Sequence, residues 1–152
     1  MNDNNDVSRR SVAKGAAWAT PALVAVAAAR PAAASPGDEP DVTGPPAQGC
    51  KLPGTGQNTK DYRITKCFTN NDTVPVTITG PSRMRVNDVS HPATSSPTSM
   101  VLAPGQSGCM TVTVYGLPDS RQATLSAIFT VSAADRTTTT IGATPTARPC
   151  KQ

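Results

Sequence analysis

From Asp61 to Phe68 apolar and polar residues nearly alternate, with Tyr62, Ile64 and Phe68 on one face and Arg63, Thr65 and Cys67 on the other. A period of two is the mark of a half-buried β-strand. Asn70, Asn71 and Asp72 then supply turn chemistry, and Val74, Val76 and Ile78 alternate with Pro75, Thr77 and Thr79, so a hairpin is expected. Pro75 has no amide hydrogen and belongs at a strand start or a sheet edge. Gly80 and Pro81 break the chain; Met84 to Val89 predicts a further short strand, His91 to Ser99 a polar loop, and Ser99 to Leu102 extended structure. Ala103-Pro104-Gly105-Gln106 has the make-up of a type II turn. Beyond it Met110, Val112 and Val114 alternate with Cys109, Thr111, Thr113 and Tyr115.

The clearest strand spans Ala123 to Ala133. Ala123, Leu125, Ala127, Phe129, Val131 and Ala133 share one parity, and Ile128 is the single apolar residue of the other. Ala134 and Asp135 turn the chain, and Thr137 to Ala143 returns as a β-branched strand. About seven short strands, with no helical period after residue 35, predict an all-β antiparallel sandwich. The run CFTNNDTVPVTITG followed by LAPGQSGCMTVTV resembles the immunoglobulin-like domains of bacterial envelope and adhesion proteins. That resemblance implies an immunoglobulin-like module and brings no catalytic residue with it.

The N-terminus has a different pattern. Ser8-Arg9-Arg10-Ser11-Val12-Ala13-Lys14 follows the twin-arginine export motif, with Arg9 and Arg10 as its pair. Gly15 to Ala29 is an apolar run of about 15 residues, short for a bilayer core of about 30 Å. Ala32-Ala33-Ala34 then offers the small side chains that signal peptidase accepts. Residues 1–34 are therefore expected to form a helical signal peptide, cut between Ala34 and Ser35, leaving no stable membrane span. Residues 35–48, rich in Pro and Gly, are expected to be a linker, and residues 49–152 the β domain. With its leader the whole chain resembles small twin-arginine-exported actinobacterial proteins of unknown function. The partners implied are the twin-arginine translocase and signal peptidase during export, then an extracellular or cell-wall partner.

Composition modifies this picture in two ways. The formal charge of +4 includes Arg9, Arg10, Lys14 and Arg30, with Asp3 and Asp6 against them. The remainder holds ten basic and eight acidic residues, about +2, too weak a bias to predict nucleic acid or an anionic membrane as partner. All four cysteines, Cys50, Cys67, Cys109 and Cys150, fall after the leader, and an even number in a small exported domain predicts two disulfides. Their spacings of 17, 42 and 41 residues lack the paired rhythm of a zinc site. Three pairings are open. Parity puts Cys67 and Cys109 on the outward face, so staples off the core are expected, with Cys50–Cys67 and Cys109–Cys150 preferred.

Candidate chemistry is sparse. His91 is the single histidine, in VSHPATSS beside Asp88, and no serine has a nucleophile-elbow setting. One histidine cannot supply a blue-copper site, so no cofactor is expected. Of Tyr62, Phe68, Tyr115 and Phe129, Tyr115 alone points outward, too few for a sugar-binding platform. Leu52-Pro53-Gly54-Thr55-Gly56 spells a sortase signal but stands far from the C-terminus, and reads as a turn, as does the sequon Asn71-Asp72-Thr73. Arg83 and Arg85 beside Met84, with Met100 farther on, are a weak candidate for a partner surface. The expectation is a non-enzymatic, secreted or envelope-associated module that binds or scaffolds a partner; the alternative is a secreted protease inhibitor presenting a Pro/Gly loop.

Overall fold

The computed structural model describes residues 38–150 apart from Asp135. The chain divides into two units, Met1–Ala34 and Ser35–Gln152, and the described residues lie in the second. Arg9, Arg10 and the expected cut between Ala34 and Ser35 fall outside them. No described helix is long and apolar enough to cross a membrane.

Among the described residues twelve strands form two six-stranded sheets. In the first, β12 (Ala147–Pro149), β2 (Gln48–Pro53), β3 (Thr59–Asn70), β9 (Ser107–Pro118) and β7 (Thr94–Ser96) lie side by side, with β1 (Val42–Thr43) also on β3. In the second, the order is β6 (Val89–Pro92), β5 (Arg83–Val86), β10 (Leu125–Ala133), β4 (Val76–Thr79), β8 (Ser99–Leu102), with β11 (Thr139–Ala143) also on β10. Every pairing is antiparallel except that of β12 with β2. This is the β-sandwich that the alternation predicts, with more strands than the seven expected.

Parity built the core. Tyr62, Ile64 and Phe68 of β3 and Met110, Val112 and Val114 of β9 are buried, as are Val76 and Ile78 of β4 and Leu125, Ala127, Phe129 and Val131 of β10. Ile128, the parity exception, is 59% exposed. Phe68 and Phe129 meet edge to face at 5.2 Å across the two sheets. The buried Tyr62 hydroxyl donates to the Pro118 carbonyl and accepts from the Ser120 amide, so its polar tip is satisfied. The type II turn forms as expected, Gly105 supplying φ 74° and the Gln106 amide donating to the Ala103 carbonyl.

Four expectations need correction. The hairpin expected at Asn70–Asp72 is an arch that carries the chain from one sheet to the other, because β3 already has β2 and β1 on one side and β9 on the other and offers no edge to β4. Asn70 anchors the arch: fully buried, it donates to the Val74 and Leu102 carbonyls and accepts from the Asp72 amide. The single strand expected over Met84–Val89 is instead the β5–β6 hairpin, turned by Asn87 and Asp88 at φ 47° and 66°. Asn and Asp tolerate this left-handed region better than other residues with side chains. His91 accordingly lies in a strand, and the expected polar loop also contains β7. Residues 38–48 are not a free linker: β1 pairs with β3, Pro40 is buried, and Lys66 donates to the Pro45 carbonyl.

The disulfides are Cys50–Cys150 and Cys67–Cys109, not the expected Cys50–Cys67 and Cys109–Cys150. Register explains the pairing. Cys67 and Cys109 sit directly opposite each other on β3 and β9, with Cα atoms 3.9 Å apart. Cys50 is opposite Arg63, four residues from Cys67 and hence roughly 13 Å short of it along the strand, outside disulfide reach. Both bridges do lie off the core, as parity implied.

Asp72 in the arch accepts a 2.7 Å ion-paired hydrogen bond from Arg136, which also lies 3.7 Å from Asp38. Burial pushes the Asp72 carboxyl up, but the Thr73 amide and the Arg136 guanidinium outweigh it and hold it below its ordinary value. A carboxylate with a lowered folded-state pKa contributes stability above the unfolded value of about 3.9 and loses it as pH falls through the folded value. The urea midpoint is therefore expected to fall as pH drops below about 4, and to fall less in Asp72→Asn; equal acid sensitivity in the two proteins would contradict this assignment.

Candidate functional site

On the outward face of the first sheet, charge, a cavity and a disulfide coincide. Arg63 stands at an outward position of β3; Cys50 is its cross-strand partner on β2, and Arg148 is the partner of Cys50 on β12. Residues in register on neighbouring strands share a face, so Arg148, Cys50 and Arg63 form one row, the two arginine Cα atoms two strand spacings or about 10 Å apart. The row borders a cavity of about 670 Å³, which Gln48, Thr65 and Thr146 also line together with the Cys50–Cys150 bridge.

Local sequence brings β12 there. Gly49 allows the incoming segment to approach, since a Cβ at that position would come within 3.0 Å of the Pro145 ring. The Leu125 amide donates to the Pro145 carbonyl and the Ala147 amide to the Ala123 carbonyl, so the segment is tied to the start of β10 in the other sheet as it reaches β2. Cys150 then closes the bridge, and its amide donates to the Lys51 carbonyl. A strand of three residues is thereby held in register by covalent and hydrogen bonds together.

Among the described residues no carboxylate lines the cavity. The Arg63 Nε is buried without a hydrogen-bond partner among the described residues, while Arg148 is exposed. A guanidinium presents a planar fork of donors suited to oxyanions. The arrangement can therefore bind and orient an anionic group.

The residues singled out in the sequence fall elsewhere. Arg83 donates to Ser90, and Arg85 to the Asp88 carbonyl, so both are engaged within the β5–β6 hairpin; Met84 is buried and Met100 half-buried. His91 is opposite Met84 on β6, with Asp88 in the adjoining turn. Tyr115 is 61% exposed, as expected. Leu52–Gly56 leads into the turn between β2 and β3, closed by the Gly54 amide on the Thr59 carbonyl. Arg63 is readable as outward from the sequence, but its neighbours in the row come from residues 50 and 148, which alternation alone does not bring to it. The signal that could have found it is an arginine amid threonines on the outward face of a long strand.

No protein-family model and no curated protein matches the chain. Solved structures do. The ApaA protein of Bordetella pertussis is similar with a TM-score of 0.50 at 16% identity, over 71% of this chain and 92% of that one. The Escherichia coli chaperone DraB is similar with a TM-score of 0.51 at 11% identity, over 74% of this chain and 57% of that one. At such identities the likeness establishes the fold, an immunoglobulin-like β-sandwich, and it is on that fold that the cationic cavity is built.

Proposed function

We propose that the chain is the precursor of an exported, non-enzymatic β-sandwich module, secreted or retained at the envelope, that binds a partner outside the cytoplasm. The observation that carries this reading is the cavity beside the Cys50–Cys150 bridge, in which two arginines face outward with no carboxylate among the described lining residues. Two disulfides favour an oxidising, extracytoplasmic environment, where such bridges persist. The neighbour DraB is a chaperone, and a binding role on the same sandwich agrees with this reading. The twin-arginine motif at Arg9 and Arg10 and the small residues up to Ala34 supply the route.

The test is intact-mass analysis of the chain expressed in a host with a twin-arginine pathway, with medium, wall and cytoplasm separated. The expected product lies outside the cytoplasm, begins at Ser35 and is four hydrogens lighter than its reduced form; the Arg9→Lys/Arg10→Lys variant stays inside at full length. Full-length chain with free thiols in the cytoplasm would overturn the reading, and nanomolar inhibition of a secreted protease by the purified protein would replace it with the inhibitor alternative.

A further inference from the structure

We infer that the Arg63–Arg148 cavity is an oxyanion-binding site that takes a carboxylate or phosphate group of the partner molecule. The inference rests on the binding-module reading above and names the chemistry at its site.

Three observations converge. Arg63 is held within β3, one of the two twelve-residue strands of the first sheet, and its Nε is out of contact with solvent and without an acceptor among the described residues. A buried donor with no acceptor is costly, and a charged one more so, and a small turn of the Arg63 side chain toward the cavity it lines would let a ligand oxygen satisfy it. Arg148 stands on the far side of Cys50 in the same row, and the Cys50–Cys150 bridge keeps it there. Two like charges facing one cavity, with Gln48, Thr65 and Thr146 as further donors and no acid among the described lining residues, make its potential positive.

The shape narrows the ligand. Guanidinium groups pair with carboxylate and phosphate through two parallel hydrogen bonds. About 670 Å³ exceeds what a bare anion fills and lies in the range of small-molecule sites, so the oxyanion is one group of a larger polar molecule or of a polymer end. The contrast with the other sheet is direct: Arg83 and Arg85 also face outward, but each donates to groups of its own hairpin.

The experiment titrates the full oxidised chain with inorganic phosphate in one arm and citrate in the other, at ionic strength held constant with sodium chloride, following the arginine Nε–H resonances by NMR. The expected result is a saturable shift of the Arg63 resonance in at least one arm. The arm that saturates at the lower concentration identifies phosphate or carboxylate as the preferred source. Arg148→Gln, at an exposed position that leaves the core intact, weakens that binding at least tenfold, as does Arg63→Gln, whereas Arg83→Gln leaves it unchanged. Shifts that grow linearly without saturating in both arms, or saturation that Arg148→Gln does not weaken, would overturn the inference. Export and cleavage are read separately, so a failure here leaves the reading of an exported module standing, and a failure there does not decide the anion site.

Discussion

Replacing Phe129 by alanine is expected to remove about 3–5 kcal/mol from the unfolding free energy, the cost typical of emptying a fully buried aromatic site. Phe129 is fully buried at the centre of β10 and meets Phe68 of β3 edge to face, so its ring touches both sheets at once. Deleting it forfeits the transfer of the ring from water, the aromatic pair, and the packing around a space that the sheets cannot close. The neighbouring Ile128→Ala is the internal control. Ile128 is also a large apolar residue, yet it points outward, and its loss should change stability by no more than about 0.5 kcal/mol. Equilibrium unfolding in urea reads both values. Similar costs at the two positions would mean that β10 does not have the face assignment described here.

Removing the Cys50–Cys150 bridge, as Cys50→Ser/Cys150→Ser, is expected to cost on the order of 4 kcal/mol, because it releases a loop of 100 residues in the unfolded chain. For a domain whose total stability is in the range of 5–15 kcal/mol, that is a large share. The bridge at Cys67–Cys109 closes 42 residues, and its removal should cost a similar amount, because loop entropy grows only slowly with length. The two losses differ in their local effect. Cys67 and Cys109 lie inside the long β3–β9 ladder, which keeps its register without them. Cys150 ends a three-residue strand, so cutting its bridge should fray β12 and raise amide exchange at Arg148, with β3 and β9 still protected. Undiminished protection of β12 in the Cys50→Ser/Cys150→Ser protein would contradict this account.

Much of the fold was legible because period-two alternation assigns faces directly. Tyr62, Ile64 and Phe68, the even positions from Met110 to Val114 and the odd positions from Ala123 to Val131 are all buried, and both bridges lie off the core. What alternation lacks is the identity of the neighbouring strand. Phe68 and Val76 point inward whether the chain between them makes a hairpin or an arch, and only the crowding of β3 on both sides decides for the arch. The cysteine pairing failed for the same reason: parity located the face of each thiol, whereas pairing depends on β3 meeting β9 and on β12 meeting β2 over separations of 42 and 100 residues. The cavity was invisible on the same ground, since Arg63 and Arg148 are 85 positions apart and meet only through Cys50. Arg83 and Arg85, adjacent in sequence and therefore easier to notice, turned out to be engaged within their own hairpin.

The register that places Arg148 beside Cys50 and Arg63 is tested most directly by peptide mapping of the non-reduced protein. Tryptic cleavage at Arg63 and Lys66 separates Cys50 from Cys67, and cleavage at Arg121 and Arg136 separates Cys109 from Cys150. The expected map joins the Cys50 peptide to that of Cys150 and the Cys67 peptide to that of Cys109. Finding Cys50 joined to Cys67 and Cys109 to Cys150 would contradict both the sheet order and the site built on it.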